Sequence, residues 1–122
     1  VAVILVVDDE VQLARSIGRL FGRHGYSVRT AHSGAEAILL LDGVDILLTD
    51  VRMPGMDGLE LVAAVKERYP AIRCFIMSGD AGARGMESAA PMVEGRLAKP
   101  FKNEDLLALI AGPSGSSPQG DR

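Results

Sequence analysis

Four strand-like runs in this 122-residue chain each end in a side chain able to do chemistry. Residues 3–7 run into Asp8 and Asp9, residues 46–49 into Asp50, residues 72–77 into Ser78, and residues 96–98 into Lys99. In an open parallel sheet, reactive groups gather outside the carboxyl ends of the strands. If these runs are neighbouring parallel strands, three carboxylates, a hydroxyl and an ammonium share one rim. Two carboxylates about 4 Å apart repel by about 4 kcal/mol at an effective dielectric of about 20. Such a cluster persists only with a cation or with protonation. All-oxygen ligands suit a hard divalent ion, and an open site that keeps waters suits Mg²⁺. A metal and a lysine neutralise phosphoryl oxygens while a carboxylate attacks in line. The constellation reads as a phosphoryl site with one carboxylate as acceptor.

The elements that must position these groups alternate between strand and helix. The run over residues 3–7 is continuous and rich in β-branched residues, as in a strand buried on both faces. Leu13, Ile17, Leu20 and Phe21 recur at helical spacing, with Arg15, Arg19 and Arg23 on the polar side. Gly25 follows as a left-handed cap. Residues 26–30 read as a more polar strand nearer an edge. Ser33 and Glu36 form a capping box for a helix carried on by Ala37, Leu40 and Leu41. Asp57 caps a helix with Leu59, Val62, Ala63 and Val65 on its apolar stripe, and Pro70 marks its stop. Asn103 caps a last helix through Ile110. This alternation predicts an α/β fold, a parallel sheet with helices on both faces. Residues 81–94, with Gly82, Gly85 and Pro91, predict a short and weakly held helix. Residues 112–122, rich in Gly, Pro and Ser, read as a flexible tail or linker after a single domain over 1–111.

Composition narrows the classes. Hydrophobic residues are 48% and charged residues 24% of the chain, the mix of a globular domain rather than a disordered one. One cysteine, Cys74, excludes an internal disulfide and a thiol zinc site, and within an apolar run it reads as a packing residue. The net charge of −3 argues against direct nucleic-acid binding. No run approaches the ~20 apolar residues that span a bilayer, and no signal peptide is read at the start. The expected location is cytoplasmic. The first residue, Val1 rather than Met, fits a piece of something longer.

Taken together, Val-Val-Asp8-Asp9-Glu10, Leu-Leu-Thr-Asp50-Val-Arg-Met-Pro-Gly-Met-Asp-Gly58, Met-Ser78-Gly-Asp80 and Ala-Lys99-Pro-Phe101 resemble the receiver domain of bacterial two-component response regulators. The resemblance implies a flavodoxin-like, doubly wound sheet of five parallel strands in the order 2-1-3-4-5. It also implies that Asp50 is the phosphorylated aspartate. Asp9 would bind Mg²⁺ directly and Asp8 through water, with Asp50 and the backbone carbonyl of Arg52 completing the ligands. Ser78 and Lys99 would each meet a phosphoryl oxygen, and the Lys99–Pro100 bond would be cis. The implied donor is a phosphohistidine on a sensor histidine kinase or a histidine phosphotransfer protein. The implied outcome is a switch in affinity for an output domain or target, with a homodimer formed on phosphorylation among the outcomes. Such a domain catalyses its own phosphorylation and dephosphorylation and is a switch rather than an enzyme.

One position departs from the family pattern. Arg96 stands where an aromatic ring is usual, three residues before the lysine, and burying an unpaired guanidinium there is costly. Arg96 is expected either to pair with Glu87 or Glu94 or to lie exposed. Arg52 and Asp80 are expected to overhang the phosphoryl group and tune its lifetime. His24 and His32 lack partners at metal spacing and are read as lying away from strand ends. The methionines read as gap-fillers. A rival reading is a receiver with an idle switch that serves as a docking or dimerisation module. An aspartyl-nucleophile phosphatase would need Asp-x-Asp after the first strand, where this chain has adjacent aspartates. A flavin binder would need a Ser/Thr/Gly-rich phosphate loop there.

Overall fold

A computed structural model describes residues 1–79 and 92–111. The weak helix expected within 81–94 lies largely outside them, and the expected tail over 112–122 lies wholly outside. The described elements are β1 (Val3–Val7), α1 (Val11–Arg23), β2 (Ser27–Ala31), α2 (Gly34–Ile38), β3 (Ile46–Asp50), α3 (Gly58–Arg68), β4 (Arg73–Ser78), β5 (Gly95–Ala98) and α4 (Asn103–Ala111). The five strands form one sheet in the order β2-β1-β3-β4-β5, and every neighbouring pair is parallel. This is the doubly wound α/β architecture expected above.

Parallel strands need crossovers, and here helices cover both faces, so the central strands carry apolar side chains on both faces. Successive side chains point to opposite faces. Leu5, Val7, Leu47, Cys74 and Ile76 pack on one side with Leu61, Val62 and Val65 of α3. Ile4, Val6, Ile46, Leu48, Phe75 and Met77 pack on the other with Ile17, Leu20 and Phe21 of α1 and with Leu106 and Ile110 of α4. Cys74 is fully buried, and burial pushes its thiol up to about 11. It packs the core. β2 is only half-buried, as expected of an edge strand, but it begins at Ser27 rather than at residue 26.

Local signals set most boundaries. Gly25 takes φ +93 after α1, where His24 Nδ1 lies 2.9 Å from the Leu20 carbonyl. The Asp57 carboxylate accepts from Glu60 N at 2.8 Å and the Glu60 carboxylate accepts from Asp57 N at 2.9 Å, a full capping box for α3. At the far end of α3, Lys66 Nζ donates to the Ile72 and Pro70 carbonyls.

α2 departs from expectation. It ends at Ile38, so Leu40 and Leu41 lie beyond it. Arg29 of β2 donates to the Leu40 and Asp42 carbonyls, which holds this turn open before Gly43 at φ +82. Leu41 still reaches the core.

Among the described glycines, Gly58 in the approach from β3 to α3 lies closest to its neighbours. Gly58 N donates to the Val51 carbonyl at 2.8 Å. A Cβ at residue 58 would lie 2.1 Å from the Asp50 carbonyl oxygen and 2.8 Å from Val51 Cα. Only glycine lets α3 start this close to the end of β3. Gly58→Ala is expected to destabilise the protein by about 2 kcal/mol or more, read by urea unfolding. Gly22→Ala is the contrast: its Cβ would meet nothing within 4 Å, so stability should hold or rise by up to about 1 kcal/mol.

Candidate phosphoryl site

Parallel pairing brings the carboxyl ends of β1, β3, β4 and β5 to one rim. Asp50 and Ser78 are the last residues of β3 and β4, while Asp8 and Lys99 follow β1 and β5 directly. Backbone bonds carry the ladders past these ends: Asp8 N donates to the Ala31 carbonyl, Val51 N to Met77, and Lys99 N to Ser78. The acids after β1 and at the end of β3 meet the lysine after β5. Lys99 Nζ lies 2.8 Å from Asp8 Oδ2, 3.4 Å from Asp50 Oδ2 and 3.9 Å from Glu10 Oε1. Asp8, Asp9 and Asp50 each offer a carboxylate oxygen, and these atoms all lie within 4.8 Å of one another.

The environments of the acids differ. Asp8 is fully buried, with Oδ2 on Lys99 and Oδ1 accepting from Glu10 N at 2.9 Å. Asp9 is exposed. Asp50 is buried, and its pKa is raised above the usual carboxylate value, first by burial and then by the Asp8 charge, which together outweigh Lys99. Burial pulls the Lys99 ammonium down, but the hydrogen bond to Asp8 and the charges of Asp8 and Asp50 more than offset it, leaving a raised pKa. Burial thus weighs on the Asp50 carboxylate more than Lys99 relieves it, and Lys99 stays protonated. The Asp50 backbone carbonyl accepts from Thr49 Oγ1 at 2.9 Å. A cleft of about 450 Å³, lined by Glu10, Asp50, Arg52, Gly79 and Lys99, opens to solvent above.

The remaining site expectations divide. Ser78 is buried at the rim, Arg52 lines the cleft, and the Lys99–Pro100 bond is cis. Asp80 and Glu87 lie outside the described residues. Arg96 is exposed on β5 and Glu94 pairs instead with Arg73, whose Nε lies 2.9 Å from it. The edge position of β5 leaves the guanidinium in water, the second of the two outcomes expected for it.

Two residues were missed as neighbours of the site. His32 follows the last residue of β2, contrary to the reading that it lies away from a strand end, and its Nδ1 is 3.2 Å from the Asp8 carbonyl. The one-residue shift in β2 hid this. Glu10 was legible only as part of a motif, yet it faces both Lys99 and the cleft.

The electrostatics have a testable consequence for the metal-free protein. An acid with a raised folded pKa destabilises the fold when ionised; the penalty is full above that pKa and fades as pH falls through it towards the unfolded value. In EDTA at neutral pH, Asp50→Asn should therefore melt a few degrees above the wild type, and the gap should narrow on acidification. Lys99→Met should lose about 3 kcal/mol, because Asp8 is left buried without its cation.

Comparison with known proteins agrees with this geometry. Residues 4–111 match the family model of the response regulator receiver domain. The positive alginate biosynthesis regulatory protein of Pseudomonas aeruginosa is 39% identical over 113 residues, 88% of this chain and 45% of that protein. The chain spans under half the length of the curated relatives it matches. The chemotaxis protein CheY4 of Vibrio cholerae superposes with a TM-score of 0.83 at 29% identity, covering 89% of this chain and 95% of that one. A response regulator protein of Burkholderia pseudomallei, solved with a phosphorylated aspartic acid, a calcium ion and citrate, gives 0.81 at 30% identity, covering 88% and 65%. The chain belongs to the receiver-domain family of two-component response regulators.

Proposed function

We propose that Asp50 is the phosphoacceptor and that residues 1–111 form the receiver unit, with 112–122 as tail or linker. The observation that carries this is the approach of Lys99 Nζ to both Asp8 and Asp50 beside three convergent carboxylates. An oxygen-only donor set fits Mg²⁺, held by Asp8, Asp9 and Asp50 together with the backbone carbonyl of Arg52. When bound, that ion neutralises charge on the phosphoryl oxygens and on the acids.

The chain's own groups do the rest. An Asp50 carboxylate oxygen attacks phosphorus in line, and the bond from phosphorus to the donor nitrogen breaks, its electron pair leaving with the nitrogen. Lys99 turns from Asp50 to a phosphoryl oxygen, since the carboxylate it served has become the uncharged acyl half of a mixed anhydride with phosphate. Ser78, at the end of the neighbouring strand, donates its hydroxyl proton to another. The burial that raises the Asp50 pKa also raises its basicity, which favours nucleophilic attack. Water later attacks phosphorus, the bond from phosphorus to the Asp50 oxygen breaks, inorganic phosphate leaves and the carboxylate is restored; the domain's own groups serve both steps, and it acts as a switch.

The donor is a phosphohistidine on a sensor histidine kinase or a histidine phosphotransfer protein. The output is a changed affinity for a target or a second copy, in the cytoplasm. Shifting a two-state equilibrium from 1:99 to 99:1 takes about 5.5 kcal/mol of differential stabilisation. Loss of the Lys99–Asp50 pair and gain of phosphoryl contacts are the local source of such a difference. The idle-switch reading finds no support in a site whose acids and lysine are all in place.

Incubation with Mg²⁺ and acetyl phosphate, followed by intact mass, should add one phosphoryl group. Asp50→Asn or EDTA should abolish it, and Lys99→Met should slow it at least tenfold, equivalent to about 1.4 kcal/mol. Undiminished labelling of Asp50→Asn would refute the assignment.

A further inference from the structure

Glu10 stands at the mouth of the site with no evident structural duty. It is the N-cap residue of α1, yet its side chain makes no capping hydrogen bond. Its backbone N–H, by contrast, is fixed on Asp8 Oδ1 at 2.9 Å, which plants the residue at the rim. The side chain is 70% exposed, against 9% for Asp50 and 17% for Lys99. Its carboxylate lies 3.9 Å from Lys99 Nζ. It lines the cleft over Asp50, and it also lines the adjoining cleft of about 350 Å³ formed with Leu13, Lys99, Pro100 and Phe101. Asp50 is the floor and Glu10 is the lip.

In-line transfer places the leaving group on the side of phosphorus away from Asp50, towards that lip. We infer that Glu10 is a specificity-determining residue that selects phosphodonors whose leaving atom is a cationic nitrogen over those whose leaving atom is an anionic oxygen. This deepens the proposed function and rests on it. The two donor classes differ in charge at the atom that departs. With phosphoramidate, a zwitterion at neutral pH, the Asp50 oxygen–phosphorus bond forms as the phosphorus–nitrogen bond breaks, and neutral ammonia leaves with the electron pair. With acetyl phosphate, the phosphorus–oxygen bond breaks and acetate leaves as an anion.

In the first transition state the departing nitrogen keeps part of its positive charge, which a nearby carboxylate stabilises. In the second, negative charge grows on the departing oxygen, which the same carboxylate repels. The discrimination therefore lies in the second-order rate constant, which compares the transition state with free donor. A phosphohistidine whose ring carries a proton on its other nitrogen, and which departs as neutral imidazole, belongs to the favoured class. Arg52 lines the same cleft and is held constant while residue 10 is varied.

The test measures second-order rate constants for labelling of Asp50 by phosphoramidate and by acetyl phosphate, with Mg²⁺ present. Relative to wild type, the ratio of acetyl phosphate to phosphoramidate should rise about fivefold in Glu10→Gln, as expected for loss of one exposed charge near the reacting atoms. It should rise further in Glu10→Lys, and Glu10→Asp should keep it within about twofold. An unmoved ratio in Glu10→Gln and Glu10→Lys overturns the role of Glu10. So does an equal fall with both donors, which would mean only that Lys99 had been disturbed. Wild type labelled by neither donor, or away from Asp50, sinks the phosphoacceptor reading instead.

Discussion

Everything at this rim depends on one ammonium group placed among acids that would otherwise repel one another. Asp8 has no contact with water and Asp50 has little, so neither charge is relieved by solvent. Lys99 meets both, and it arrives from the last strand, 91 residues along the chain from Asp8. Only the assembled sheet brings them together. Lys99 is also shared among three acids, facing Asp8, Asp50 and Glu10 at 2.8, 3.4 and 3.9 Å. A site short of positive charge is one that a divalent cation and a phosphoryl group can reorganise.

The rest of the fold supplies the rigidity that such a site needs. β1, β3 and β4 are apolar on both faces, so their register is fixed by two independently packed cores. A slip of one residue in β3 would carry Asp50 into one of those cores. Gly58 adds a second constraint, since the start of α3 presses on the Asp50 carbonyl itself. Met56 lies against Gly34, where a Cβ would come 2.8 Å from its sulfur. This ties the loop after β3 to the start of α2, in keeping with the reading of the methionines as gap-fillers.

Much of this was legible in the sequence because it is governed by short-range rules. The two-faced strands announced themselves as short apolar runs, and each ended on a side chain of the required type. The cap of Asp57 and the stop before Pro70 were read from residues within one turn of each other. What was hidden depended on contacts far apart in the chain. α2 stops early because Arg29, on a different element, holds the Leu40 carbonyl. His32 looked idle because the end of β2 was placed one residue too soon, and its partner is the Asp8 carbonyl, 24 residues away. Glu10 was read as one letter of a motif; its position at the lip appears only when β5 delivers Lys99 beside it. Pairing of Arg96 with Glu94 was plausible from spacing, but β4 offers Glu94 the closer cation, Arg73.

The chemical identity of the modified residue is the most direct question to put to the molecule. Borohydride reduces an aspartyl phosphate to homoserine, and peptide sequencing by mass then locates it. After phosphorylation in the presence of Mg²⁺, homoserine is expected at position 50 alone. Homoserine at position 8, 9 or 57, or none at all in a protein that has taken up phosphate, would contradict the assignment of Asp50.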